Sequence, residues 1–366
     1  MLMHNVHIKL IGTISLCAGM VVILFLSSER QVHRNNAFTR RFPPHPIIKE
    51  YDLNIGYNSY YIAGLDQDLL YLGNHTAPWH LLQVHLGTQD TVHIRMEPID
   101  KELRYRSLET KVLPPHFFVM DGTMPFILRG RTDSWKAWPW MEGTAYFTKA
   151  IPIDSNKVFV RTVSARTRKT ILGLIEKTRS FKILLDTTLL EAQIDGVFDV
   201  DGELVRGGDG KRVGYVYYYR NQFITMGTDL KDDKRQRTID TVQHAQLQLA
   251  TANKKGQIQM QTPPLTINKT ACMNTNLMLI RSDRLGRNES RDMLDKAAII
   301  DVYNHQKNTY DFSFYLYDIN KQKAREFVLH GNHMVALIGD RLSVYRTVGT
   351  YFDRTATKST KETTGP

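Results

Sequence analysis

Cysteine is scarce in this chain, which has 2 among 366 residues. So few cysteines exclude a disulfide-stapled scaffold and a structural zinc site, because such sites draw most of their ligands from Cys and His. The catalytic signatures G-x-S-x-G and H-E-x-x-H are missing as well, and no glycine fingerprint separates a strand from a helix. The sequence therefore predicts no catalytic residue, no cofactor and no metal.

The composition excludes two further classes of protein. Hydrophobic residues make up 42% of the chain and charged residues 23%, which are ordinary values for a globular protein. Neither an extensively disordered chain nor a polytopic membrane protein fits these proportions.

One long apolar run lies near the amino end. Residues 8–26 (IKLIGTISLCAGMVVILFL) contain one charge, Lys9, and the apolar part would span about 25 Å as a helix, close to the hydrocarbon thickness of a bilayer. We predict a single N-terminal transmembrane helix within an anchor over residues 1–28, with membrane lipid bound through residues 8–26. A cleaved secretory signal is the alternative, although Phe25 and Leu26 stand where such a signal has small residues.

The basic residues on either side of this run bear on the orientation of the predicted helix in the membrane. Lys9 precedes the apolar residues, whereas Arg30, Arg34, Arg40 and Arg41 follow them. Counted alone, these charges place the large domain in the cytoplasm.

Two flanking segments read as non-globular. Residues 29–46 are basic and contain Pro43, Pro44 and Pro46, which predicts an extended linker between anchor and domain. Its basic residues could also contact anionic lipid headgroups. Residues 351–366 are rich in Thr and Lys, which predicts a disordered tail.

Beyond Lys49, helical periodicity gives way to short runs of β-branched, aromatic and aliphatic residues separated by turn signals. The first four runs predict one antiparallel sheet: Tyr60–Leu65, Leu69–Gly73, His80–Leu86 and Thr91–Met96. Comparable units begin near Tyr60, Ser107, Thr148, Val197, Leu265 and Arg325. The spacing suits the roughly 40 to 50 residues of a propeller blade. We therefore predict an all-β fold, a β-propeller over residues 47–350 with six blades. Seven blades are the alternative count, and a pair of β-sandwiches is the alternative fold.

The two ends of this domain complement each other. The last unit has too few strands before Thr347, while Ile47–Leu53 (IIKEYDL) is a strand candidate without a partner. Pairing them would close the ring and cover the edges of an open sheet.

An acidic stretch is the strongest metal candidate. In residues 195–203 (DGVFDVDGE), the carboxylates of Asp199, Asp201 and Glu203 could ligate calcium. The stretch lacks the D-x-D-x-D-G spacing, however, and Asp201-Gly202 is a favoured hairpin turn. We interpret it as a turn between two strands.

Trp135, Trp138 and Trp140 (WKAWPW) form the densest aromatic patch, in a segment that we expect to connect two blades. If exposed, they could stack on a sugar ring or bind a protein, whereas between blades they would be ordinary packing. They are the predicted binding residues of this chain.

Basic clusters are interleaved with Asp or Thr and spread over several units: Arg129 with Arg131, residues 166–169, and residues 231–237. We interpret them as solvated loop ends and predict no nucleic-acid partner, because a nucleic-acid groove needs basic groups aligned on one surface. A polyanion such as a phospholipid surface or an acidic glycan is the alternative.

Several motifs resemble a known group of proteins. They are Arg40–Pro46 (RRFPPHP), Asn58–Gly64 (NSYYIAG), Tyr71–Asn74 (YLGN), Phe314–Tyr317 (FYLY) and Leu342–Arg346 (LSVYR). With the N-terminal apolar segment, they resemble uncharacterised, membrane-anchored bacterial proteins related to the TolB-like six-bladed propellers. The similarity covers nearly the whole chain, but its motifs are structural and carry no catalytic residue. It implies a propeller held outside the cytoplasmic membrane, in a periplasm-like compartment. We favour this location over the one that the basic residues indicate, because long folded domains can be translocated despite flanking charge.

These observations predict a membrane-tethered, non-catalytic propeller that binds or scaffolds a protein or glycan partner outside the cytoplasmic membrane. The alternative is a propeller enzyme, a lyase or hydrolase acting on a saccharide or peptide. Such an enzyme would gather carboxylates or histidines from different blades at the mouth of the central funnel, with shifted pKa values.

Overall fold

The computed structural model describes residues 2–32, 34–251 and 258–352. An α-helix, α1 (Leu2–Val32), covers the predicted transmembrane segment. In these described ranges, however, no helix is both long enough and apolar enough to cross a membrane, so the predicted transmembrane helix is not supported. The predicted tail lies outside the described residues from position 353 onward.

The described strands form a propeller of six antiparallel blades, which are numbered in chain order. The strands of each blade are given from the centre of the ring outward. Blade 1 contains β2 (Tyr60–Asp66), β3 (Leu69–Asn74), β4 (His80–His85) and β5 (Thr91–Arg95). Blade 2 contains β7 (Glu109–Leu113), β8 (His116–Asp121), β9 (Phe126–Arg131) and β10 (Lys136–Glu142), with β6 (Glu97–Pro98) added parallel to β10. Blade 3 contains β11 (Lys149–Pro152), β12 (Lys157–Val163), β13 (Thr170–Lys177) and β14 (Phe181–Asp186).

The other three blades follow the same order. Blade 4 contains β15 (Gly202–Arg206), β16 (Arg212–Tyr217), β17 (Gln222–Gly227) and β18 (Lys234–Arg237). Blade 5 contains β21 (Asn268–Met273), β22 (Leu277–Ser282), β23 (Ala297–Asn304) and β24 (Thr309–Tyr317). Blade 6 contains β25 (Ala324–His330), β26 (His333–Ile338), β27 (Arg341–Thr347) and β1 (Ile47–Asn54). A small hairpin, β19 (Leu249–Thr251) with β20 (Ile258–Met260), and two short helices, α2 (Asp292–Lys296) and α3 (Gly349–Phe352), complete the described elements.

The predicted six-bladed, all-β propeller is therefore confirmed. The inner strands begin within a few residues of the predicted unit starts. Each inner strand contacts the next, and β25 returns to β2, so the ring is closed. Since every blade repeats the same order from the centre outward, the inner strands run parallel and all begin on one face of the ring. We call this face the mouth.

The predicted closure is confirmed as well. Strand β1 pairs antiparallel with β27, from Ile47 opposite Thr347 to Asn54 opposite Arg341. The Ser343 hydroxyl donates to the Asp52 carboxylate across this pair at 2.7 Å. The amino end of the domain thus supplies the outermost strand of the last blade, which fixes the two ends of the ring together.

The core lies between neighbouring blades. Successive residues of a strand face opposite sides of its sheet, and both sides are covered here, so central strands such as β23 are buried throughout. One apolar cluster joins Leu70 and Leu72 of blade 1 to Val335 and Leu337 of blade 6. Some polar side chains are also buried within the sheets, such as Asp301 of β23 and Ser343 of β27.

Residues 34–46, which we call the strap, pack against blade 5. The Arg40 guanidinium is fully buried and donates to the Asp301 carboxylate at 2.6 and 3.1 Å and to the Glu289 carboxylate at 2.9 and 3.0 Å. The Phe42 ring stacks on Tyr315 with centroids 4.6 Å apart. Part of the segment predicted as an extended linker is thus held on the propeller by a buried charge network.

Candidate binding site in the central channel

The six inner strands enclose a central channel with a volume of about 650 Å³. This volume is within the range of about 300–1,000 Å³ that is usual for small-molecule sites. All six inner strands contribute to the lining, which includes charged residues of both signs. The channel is therefore the candidate ligand site.

Inner strands present unpaired backbone groups to the channel, because nothing continues the sheet on that side. In β2, a bulge at Ala63 interrupts the pairing next to Ile62. The Glu326 carboxylate accepts a hydrogen bond from the Ile62 N–H at 2.8 Å, and the Lys111 ammonium donates to the Ile62 carbonyl at 3.3 Å. Charged side chains of blades 6 and 2 thus satisfy the backbone of blade 1.

Glu109, the first residue of β7, lies between two ammonium groups. Its carboxylate is 2.9 Å from the Lys111 ammonium and 3.8 Å from that of Lys149, the first residue of β11. Burial alone would raise the pKa of Glu109, but the two lysines lower it to about 2. The Lys149 side chain remains 44% exposed and is the more accessible of the two cations.

Glu203, the second residue of β15, has different surroundings. It accepts a hydrogen bond from the Tyr218 hydroxyl at 2.5 Å. Burial raises its pKa above the ordinary value, and the negative charge of Glu109 acts in the same direction, although the hydrogen bond from Tyr218 and the charges of Lys149 and Lys111 act against it. The two carboxyl groups are therefore held in unequal protonation equilibria by their environments. We call Glu109, Lys111, Lys149 and Glu203 the channel cluster.

Two guanidinium groups of the lining bond to backbone rather than to carboxylates. Arg206 donates to the Ile153 carbonyl at 3.3 Å, and Arg325 donates to the carbonyls of Tyr60 at 3.1 Å and Gly339 at 3.3 Å. Among the residues that the structure describes, neither forms an ion pair, and the Nε of each is buried without a hydrogen-bond partner. Burial correspondingly lowers the pKa of Arg206.

The predicted tryptophan site does not form one surface. Trp135 packs on Phe117 and Tyr71 with centroids 5.0 and 6.0 Å away, and Trp140 is 2% exposed against Phe118. Only Trp138 of the three is mainly exposed, at 56%. All three belong to or adjoin β10, the outer strand of blade 2, rather than a connection between blades.

The three candidate calcium ligands have three separate roles. The Asp199 carboxylate accepts from the N–H groups of Gln193 and Gly196 at 2.5 Å each, Asp201 pairs with Arg161, and Glu203 faces the channel. In the described residues no group of three or more acidic, His or Cys side chains is arranged to hold a metal ion.

The predicted hairpin over this stretch is wrong. Gly202 begins β15, and residues 187–201 form no strand. Asp195 explains the difference, because its carboxylate accepts hydrogen bonds from the N–H groups of Val197 and Phe198 at 3.1 Å each, and a hairpin would pair this segment with a second strand.

Sequence reasoning missed the channel cluster, yet a signal for it exists. Glu109, Lys149 and Glu203 stand at the first or second position of three successive inner strands. Aligning the repeat units by those strands brings charged residues into one register. Parallel inner strands then place them at the mouth.

Comparison with known proteins supports the fold. No protein-family model matches the chain, and no curated protein matches its sequence. A member of the DUF4221 family from Bacteroides vulgatus is similar in structure, with a TM-score of 0.52 at 9% identity over 82% of this chain and 97% of its own. A calcium-binding regucalcin from Agrobacterium tumefaciens has a TM-score of 0.47 at 10% identity over 84% and 95% of the two chains. A Bacteroides fragilis protein described as exported has a TM-score of 0.46 at 8% identity over 86% and 95%.

At such identities the likeness concerns the fold alone. The TolB-like type implied by the sequence resemblance stays a prediction.

Proposed function

We propose that this protein is a non-catalytic, saccharide-binding propeller whose site is the mouth of the central channel. The channel cluster and the Arg325 guanidinium place hydrogen-bond donors and acceptors from different blades at the mouth. A sugar presents hydroxyls that both donate and accept, so it suits a site with both kinds of group.

The observation that carries this proposal is the convergence of Glu109, Lys149 and Glu203 from three blades. Lys149 is the accessible cation, since its side chain is 44% exposed. Glu109 is already paired with Lys111 at 2.9 Å. The lysine can therefore donate to a ligand without leaving the glutamate unpaired. Glu203 offers a carboxyl group that accepts or donates according to its protonation.

The same geometry argues against turnover. A carboxylate with a pKa of about 2, held between two ammonium groups, is a weak proton acceptor. Glu109 is thus suited to holding the lysines in place rather than to removing a proton from a substrate.

Screening the purified chain on a glycan array, followed by calorimetry on the bound sugars, tests the proposal. We expect Lys149→Ala to weaken binding by about tenfold, the usual effect of one hydrogen bond to a charged group. Lys182→Ala is the matched control, because Lys182 is exposed on β14, the outer strand of blade 3. Equal affinity of the wild type and Lys149→Ala for every bound sugar would remove the channel mouth as the site.

One observation favours a second function, the predicted lyase or hydrolase. Glu203 has a raised pKa while Glu109 has a lowered one, and glycosidases likewise combine one protonated carboxyl group with one ionised carboxylate. Incubating the bound sugars with the protein and following new reducing ends or unsaturated products distinguishes the two. Turnover that Glu203→Gln abolishes while binding persists would make the protein an enzyme and end the non-catalytic proposal.

We also propose that the propeller acts outside the cytoplasmic membrane. The support is the apolar side chains of α1, which are largely exposed, Leu16 at 69% and Ile23 at 68%, as in segments read by export machinery. Carboxyl-terminal fusions to alkaline phosphatase and to a green fluorescent protein report opposite sides of the membrane. Phosphatase activity without fluorescence is expected, and the reverse result would place the domain inside.

A further inference from the structure

A second cavity lies at the periphery of the ring between blades 1 and 2. It has a volume of about 630 Å³ and is lined by the turn before β4, the segment from the end of β5 through β6, and the first residue of β10. We call it the rim groove. The turn between β3 and β4 contributes to both cavities, because His75 lines the channel and Ala77 lines the rim groove.

The floor of the rim groove is fixed by backbone hydrogen bonds. The N–H groups of Met96, Glu97 and Ile99 donate to the carbonyls of Trp79, Trp135 and Ala137 at 2.8, 2.9 and 3.0 Å. The chain leaving blade 1 is thereby tied to the outer strand of blade 2. A ligand would meet a preformed surface rather than a loop that must first be ordered.

Three cations line this groove without partners. Arg95, Lys101 and Lys136 are exposed, and in the part of the chain that the structure describes none of their side chains makes a hydrogen bond, ion pair or ring contact. One acidic residue, Glu97, lines the same cavity. The groove therefore has three cationic side chains against one acidic side chain, Glu97, which lies opposite Lys136 in the pair of β6 with β10.

An aromatic side chain accompanies the cations. Trp79 is half-buried and packs against the apolar cluster of blades 1 and 2, and its ring meets Tyr105 edge-on with centroids 6.0 Å apart. Trp138 is two residues from Lys136 on β10 and so shares its face of the strand, where it is 56% exposed. An apolar ring face next to unpaired cations suits a sugar ring that bears carboxylates.

We propose that the rim groove binds an acidic oligosaccharide, with a sugar ring stacked on Trp79 and carboxylates bound by Arg95, Lys101 and Lys136. The inference deepens the proposed function and rests on it for the class of ligand, while adding a second site and the charge of the sugar. Glu97 can accept hydrogen bonds from the hydroxyl groups of such a sugar.

Calorimetry with tetragalacturonate, an acidic tetrasaccharide, and with maltotetraose, a neutral one, tests the inference on the full chain. The double variant Lys101→Ala/Lys136→Ala removes two exposed cations without touching the core. Lys182→Ala/Lys211→Ala is the matched control, because it makes the same charge change at exposed lysines of blade 3 and of the β15–β16 turn. Trp79→Ala tests the stacking, with circular dichroism to confirm its fold.

We expect the wild type and the control to bind tetragalacturonate more tightly than maltotetraose. The groove double variant should bind the acidic sugar at least about tenfold more weakly, and added salt should weaken wild-type binding. Lys149→Ala should leave that groove-dependent binding in place, since it alters only the channel.

Three results would overturn the inference. Equal affinity of the groove variant and the control is one, and a preference for maltotetraose is another. The third is an octathymidylate probe that binds more tightly than tetragalacturonate and is lost in the groove variant, which would assign the groove to nucleic acid. If tetragalacturonate binding is lost in Lys149→Ala and kept in the groove variant, the groove inference fails while the channel proposal stands.

Discussion

Replacing Arg40 with methionine should destabilise the propeller by about 3–5 kcal/mol, the usual cost of breaking a buried ion pair from one side. Arg40 has a fully buried guanidinium, and the carboxylates of Asp301 and Glu289 that it contacts are 4% and 6% exposed. Methionine fills a similar volume but leaves both carboxylates without a counter-charge. It also breaks the hydrogen bond from Arg40 to the Arg284 carbonyl at 2.9 Å.

Urea unfolding followed by tryptophan fluorescence measures this loss as a lower midpoint at an unchanged slope. Removing one of the stranded charges should recover part of it, so Arg40→Met/Asp301→Asn should be more stable than Arg40→Met. Arg131→Met is the control, because Arg131 pairs with Asp133 while both side chains are more than half exposed. A fall of less than about 1 kcal/mol in the free energy of unfolding of Arg40→Met would refute the reasoning, since removing one partner of a buried ion pair usually costs several times as much.

Two further substitutions test the channel itself. In Gly64→Ala the new methyl carbon would lie 2.2 Å from the Val112 carbonyl oxygen, so we expect the free energy of unfolding in urea to fall by about 1–3 kcal/mol. Gly87→Ala is the control and should leave stability unchanged, because the nearest atom to its new methyl carbon is 3.4 Å away. Glu203→Gln should raise the thermal midpoint at about pH 7 and leave it unchanged below about pH 4. The reason is that the folded state raises the pKa of Glu203 above its ordinary value of 4.5, so ionisation costs stability only above that pH. A midpoint that falls at neutral pH in Glu203→Gln contradicts the assigned environment.

The fold was predictable because its signals are local. Strand propensity and turn residues place Tyr60–Leu65, Leu69–Gly73 and His80–Leu86 within one residue of β2, β3 and β4 at every boundary. The closing strand was predictable for a related reason, since Ile47–Leu53 reads as a strand and the last unit lacks one. Both inferences need only the residues themselves and the rule that sheet edges are covered.

The strap was not predictable from its own residues. Basic and proline-rich, the segment carries the composition of a spacer, and nothing near it in sequence pairs with Arg40. Its partner Asp301 lies 261 positions away. A buried charge gains its counter-charges only once the fold brings distant strands together, so composition alone assigns such a residue to solvent.

The channel cluster is likewise brought together only by the fold, and its position at the ends of strands affects what the protein can bind. Glu109, Lys149 and Glu203 sit at the first or second positions of inner strands, where the side chain meets the channel, while the residues that hold the blades together lie deeper in the sheets. Mouth positions can therefore change with little cost to folding, and the ligand can change with them. A propeller that shares 9% identity over 82% of this chain can thus have the same blades and a different ligand. Affinity measurements on Lys149→Ala and on the groove variants, rather than fold similarity, decide what this chain binds.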